Sequence, residues 1–157
     1  MFKTKNDLAE SVRVKMIELL NARLADVIDL QTQIKQAHWN VKGPNFIAVH
    51  ELFDKINEAV EDYVDDIAER AVQLGGVAEG TARMAAKRSS LSEYPANTVD
   101  GRGHVEALSS VLAAFGKSAR KAIDDSDDLD TADLFTEISR GIDKWLWFVE
   151  AHLQAER

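Results

Sequence analysis

The chain has 157 residues, 45% of them hydrophobic and 29% charged, enough to bury a substantial core in one domain spanning 1–157. Its 27 acidic and 19 basic residues give a net charge of -8, which repels nucleic acid and attracts cations, so DNA binding would need a local basic patch. It has no cysteine, which excludes disulfides and thiolate chemistry, and neither a bilayer-length apolar run nor a signal-like N-terminus, which leads us to expect a cytoplasmic protein.

Residues 1–9 read as a short tail. From 10 to 42, Ile17, Leu20, Leu24, Val27, Ile28 and Ile34 recur at steps of three and four without Pro or Gly, which predicts one long amphipathic helix. Gly43 and Pro44 stop it, and Asn45 can cap the next helix. The same periodicity runs through Phe46, Val49, Phe53, Ile56, Val60, Val64, Ile67 and Ala71, which predicts a second helix over 46–74, antiparallel to the first and ended by Gly75 and Gly76.

Between Gly75 and Gly103 the pattern breaks, although TARMAAKRSS can form a short helix. Residues 104–123 and 131 to about 154 read as two more helices. They are separated by DDSDDLD, residues 124–130, a solvated turn able to supply an N-cap to the last helix. The expected fold is therefore all-α. It is a four-helix bundle with a long crossover between helices two and three carrying a short extra helix, the ferritin-like connectivity.

On the second helix, His50, Asp54, Glu58, Glu61, Asp65 and Glu69 form a ribbon beside the core stripe. Such a ribbon is ordinarily a solvated face. This one begins with a histidine, a poor solubiliser and a good transition-metal ligand. His38 lies five residues before Gly43 and His50 five after Asn45, so antiparallel helices set them at one level, with Asp54 a turn further on. Asp65 and Glu69 make another one-turn pair, but Asp65 lies roughly 16 Å beyond Asp54 along the helix, too far for one site within one chain.

Two half-sites on one flank invite a twofold axis that sets Asp54 of one copy opposite Asp65 of another. Two imidazoles and three carboxylates suit iron, manganese or zinc better than calcium. No Glu has a His three residues later, so the core-facing Glu-x-x-His di-iron arrangement is absent.

The segments QAHWNVKGPNFIAVHELFD, DDIAERAVQLGGVAEGT, SEYP and DTADLFTEISRGIDKWLWFVE resemble the Dps family, the DNA-binding proteins from starved cells. The resemblance spans nearly the whole chain and is densest from 36 to 81. It implies a hollow homo-dodecamer that oxidises iron(II), preferably with hydrogen peroxide, and stores the iron(III) mineral. It also implies ferroxidase centres at twofold interfaces, with ligands His38, His50 and Asp54 from one subunit and Asp65 and Glu69 from its neighbour.

In the family the residue matching Trp39 lies near the centre and could donate an electron to a stray oxidant, although interface packing accounts for it equally well. Lys35, one turn before His38, could hydrogen-bond a site water. Acidic residues line threefold pores in the family, a second reading of 124–130 beside the solvated turn. Some members bind DNA through a lysine-rich tail and associate with the nucleoid. Here only Lys3 and Lys5 precede the first helix and QAER adds one arginine, so weak, salt-sensitive binding or none is expected.

Overall fold

The computed structural model describes residues 1–154; Arg157, the arginine of the C-terminal QAER, lies outside them. The helices are α1 (Glu10–Asn40), α2 (Phe46–Gln73), α3 (Ala82–Arg88), α4 (Gly101–Asp124) and α5 (Leu129–Gln154). No strand occurs among the described residues. Helices α1 and α2 pack along each other, as do α4 and α5; the two pairs meet through α1 with α4 and α2 with α5, and α3 rests on α1. The all-α bundle with a long crossover is thus observed.

The periodic apolar residues supply the core: Leu20, Leu24 and Ile34 of α1, Phe53 and Ile56 of α2, Phe115 of α4, and Phe135 and Ile142 of α5 are all buried. Each such side chain contributes roughly 1.5–3 kcal/mol through removal from water. That one-sided burial holds long helices whose polar flanks remain free for chemistry.

Element ends differ from expectation where caps outweigh periodicity. Helix α4 starts at Gly101 rather than 104, because the Asp100 carboxylate accepts a hydrogen bond from the Gly103 amide at 2.9 Å. Helix α5 starts at Leu129 rather than 131, because Asp128 accepts from the Thr131 amide at 3.1 Å. Helix α1 ends at Asn40, two residues early. Asn45 occupies the N-cap position of α2 but makes no side-chain cap bond.

The crossover is fastened to α1 by polar side chains. The Asn21 side chain donates to Val77 O at 3.0 Å and accepts from the Glu79 amide at 2.9 Å. Buried Asp26 accepts from the Ser90 amide at 2.7 Å and its hydroxyl at 3.0 Å. Gln33 donates to Ser92 O at 2.9 Å. These residues satisfy backbone groups of a segment without regular structure, which is why polar side chains are tolerated there.

The N-terminal segment is tied down rather than free. The Phe2 amide donates to Gly75 O at 2.7 Å, and Arg13 donates to Leu8 O at 3.2 Å and Leu74 O at 3.1 Å. Gly75 permits the turn beneath it with φ +88°.

Candidate metal centre

The α1–α2 turn closes tightly: Gly43 takes φ +120° and its carbonyl accepts from the Phe46 amide at 3.0 Å. This brings His38 and His50 face to face, with ring centroids 3.8 Å apart and planes 22° from parallel. His38 Nδ1 lies 2.9 Å from His50 O, and His50 Nδ1 lies 2.9 Å from His38 O. A carbonyl can only accept, so each Nδ1 carries the hydrogen. Nε2 is therefore the nitrogen left on each ring to bind a metal when the imidazole is unprotonated there.

Asp54 stands one helical turn beyond His50, half exposed. Lys35 Nζ donates to its Oδ1 at 2.9 Å, and His38 Nδ1 is 3.9 Å away. The Lys35 hydrogen bond holds the Asp54 carboxyl below the usual carboxylate range; burial opposes it, and the charges of Lys35, His38 and His50 add to it. Lys35 thus engages a candidate ligand directly, a role its spacing from His38 did not reveal. Trp39 is 67% exposed, with Lys35 Nζ 5.9 Å from its ring centre.

His38, His50 and Asp54 are neighbours, whereas Asp65 and Glu69 are exposed further along α2. No group of three or more His, Asp or Glu side chains able to hold a metal ion occurs among the described residues. The candidate ligands of one chain thus fall into two separate groups. Beside Asp65 and Glu69 the Asp66 carboxyl is pushed up, first by burial and then by the charges of Glu137, Asp62, Glu69 and Asp65. Glu137 comes from α5, so its contribution could not be read from the α2 ribbon. Asp62 and Asp66 could have been, as acids flanking that ribbon.

The aspartates of 124–130 are largely engaged within the chain. Lys15 pairs with Asp127 at 2.6 Å, Lys121 with Asp125 at 2.8 Å, and Arg70 with Asp128 at 2.7 Å. Asp128 also caps α5, as the solvated-turn reading expects.

The ferritin-like domain family matches residues 17–157. The DNA protection during starvation protein of Agrobacterium fabrum is 48% identical over 155 residues, covering 97% of this chain and 96% of that protein. Among solved structures, Mycobacterium smegmatis Dps in a tetragonal form superposes with a TM-score of 0.93 at 33% identity, covering 99% of this chain and 95% of that one. Dps from Microbacterium arborescens in its high iron form gives 0.87 at 34% identity, covering 99% and 100%. The chain belongs to the ferritin-like family of Dps proteins.

Proposed function

We propose that this protein is a ferroxidase and iron store. Iron(II) is its substrate, oxidised at a centre shared by two copies: His38, His50 and Asp54 from one, Asp65 and Glu69 from the other. The observation that carries this reading is the reciprocal His38–His50 bonding, which commits both Nδ1 atoms and leaves both Nε2 atoms as candidate donors, with the Asp54 carboxylate one helical turn beyond His50. The split of candidate ligands along α2 supports a site completed by a second copy, and the high iron form of the M. arborescens relative supports iron as the metal.

Each iron(II) gives one electron. Two held together deliver both electrons to one hydrogen peroxide; the O–O bond breaks, and the oxygens take up two protons and leave as two waters, without releasing a hydroxyl radical. The carboxylates favour the harder iron(III) product. The iron(III) mineral is stored inside a hollow dodecamer in the cytoplasm. Consistent with that location, no helix among the described residues is long and apolar enough to cross a membrane.

Anaerobic titration with iron(II), followed by peroxide and read optically, tests the reading. Two iron(II) consumed per peroxide, faster than with oxygen, is the expected result. One iron(II) per peroxide with trappable hydroxyl radical would reject the paired-site chemistry.

The alternative is a nucleoid-compacting DNA binder with secondary ferroxidase activity, as the relatives' name invites. The docked N-terminus and the net charge of -8 weigh against it. We favour DNA protection by removal of iron(II) and peroxide.

A further inference from the structure

Tyr94, half-buried in the crossover, and His104, buried on the first turn of α4, form a polar pair that the iron chemistry above does not use. The Tyr94 hydroxyl meets His104 Nδ1, and the rings lie 16° from parallel with centroids 6.0 Å apart. His104 is 1% exposed. Tyr94 also lines a cavity of about 990 Å³ whose wall includes Trp39 and Lys35, the residue bonded to Asp54.

Both groups are neutral near pH 7. Burial pushes the Tyr94 phenol up to about 12. Burial also holds the His104 imidazole below its ordinary value; the Asn40 backbone and Asp100 oppose this, and Lys42 reinforces it. The phenol therefore donates to an unprotonated Nδ1. A phenol that loses an electron becomes a very strong acid, so its oxidation is eased by a base that already accepts its proton. His104 Nδ1 is that base, already in hydrogen-bond contact.

From this geometry we infer that Tyr94 and His104 act as a proton-coupled one-electron donor facing the cavity beside the candidate metal centre. Its use during iron oxidation rests on the function proposed above. A centre holding one iron(II) reduces peroxide by one electron, giving iron(III), hydroxide and a hydroxyl radical. Tyr94 passes an electron to that radical, which becomes hydroxide, while the phenol proton moves to His104 Nδ1. The products are a neutral tyrosyl radical and an imidazolium. A second iron(II) then returns one electron to the tyrosyl oxygen, the proton moves back from His104, and the pair is restored. The net result is one hydroxyl radical reduced to hydroxide at the expense of one iron(II).

An iron-free test separates this inference from the ferroxidase reading. The intact assembly is oxidised with photogenerated ruthenium(III) polypyridyl, and the tyrosyl radical is followed by electron paramagnetic resonance. The only other tyrosine is Tyr63. The expected result is that Tyr63→Phe keeps the long-lived signal and Tyr94→Phe loses it. His104→Asn, which can accept the hydrogen bond but not the proton, should slow radical formation roughly 10²-fold, the scale of a lost general base. A signal that survives in Tyr94→Phe, or a His104→Asn rate equal to the parent, overturns the inference. If His104→Asn does not fold, the parent protein decides: a formation rate independent of buffer-base concentration supports an internal acceptor, and a rate that rises with buffer base overturns it.

Discussion

His38 and His50 each donate Nδ1–H to the other's backbone carbonyl, both at 2.9 Å. One pair of residues thereby holds two helices in register and sets both imidazole tautomers. In His50→Phe the stacking surface remains, but one hydrogen bond and one Nε2 ligand are lost. We predict loss of rapid iron(II) oxidation in stopped-flow traces, with a stability cost of only about 1 kcal/mol in denaturant titration. Oxidation at the parental rate would remove His50 from the centre.

Asp128 caps α5 and pairs with Arg70 at 2.7 Å. Burial raises its pKa, but the Thr131 and Arg70 hydrogen bonds and the Arg70 charge outweigh this, so the folded value lies below the ordinary 3.8. Its contribution is therefore fully present above 3.8 and disappears as pH falls through the depressed folded value. Asp128→Ala should cost about 3 kcal/mol near neutrality, since it strands the Arg70 charge and uncaps α5. The gap between parent and variant should narrow in denaturation curves taken at progressively lower pH below 3.8. A gap that stays constant would show that the carboxylate charge contributes nothing.

Gly75→Ala should destabilise the protein by about 1–2 kcal/mol, because φ is +88° and a β-carbon would lie 2.7 Å from the Phe2 carbonyl oxygen. The N-terminal strap should loosen with it, seen as faster amide exchange at Phe2. Unchanged melting and exchange would mean that the Phe2–Gly75 bond does not hold the segment.

For DNA, gel shifts should show weak retardation at low salt that vanishes at physiological salt, because the net charge is -8 and the segment bearing Lys3 and Lys5 is tied to Gly75. Retention at physiological salt would require a basic surface beyond that segment and would favour the nucleoid-binding reading.

The bundle was legible because long three-and-four periodicities leave little choice of fold, and the residues they nominated, such as Phe53 and Ile56, are buried. The levelling of His38 with His50 followed from equal distances to one turn. The cap-driven start of α4 did not follow, because Asp100 lies outside any apolar repeat; for α5 the acidic turn announced a cap, but not that Asp128 supplies it and starts the helix at Leu129. The bonds from Asn21, Asp26 and Gln33 to the crossover, whose partners stand tens of residues away, did not follow either. Lys35–Asp54 and Tyr94–His104 are likewise pairs of tertiary contact, without a local spacing to reveal them.

The central claim is that each half-site needs its complement from a second copy. The direct measurement is iron(II) oxidation by peroxide in assemblies refolded from an equal mixture of His38→Ala and Asp65→Ala chains. Each variant alone should form the assembly and lack rapid oxidation. A mixed pair rebuilds one intact site of its two, so random mixing should restore about a quarter of the parental fast phase. Either variant oxidising iron(II) rapidly on its own, or a well-mixed assembly recovering no fast phase, would contradict the account.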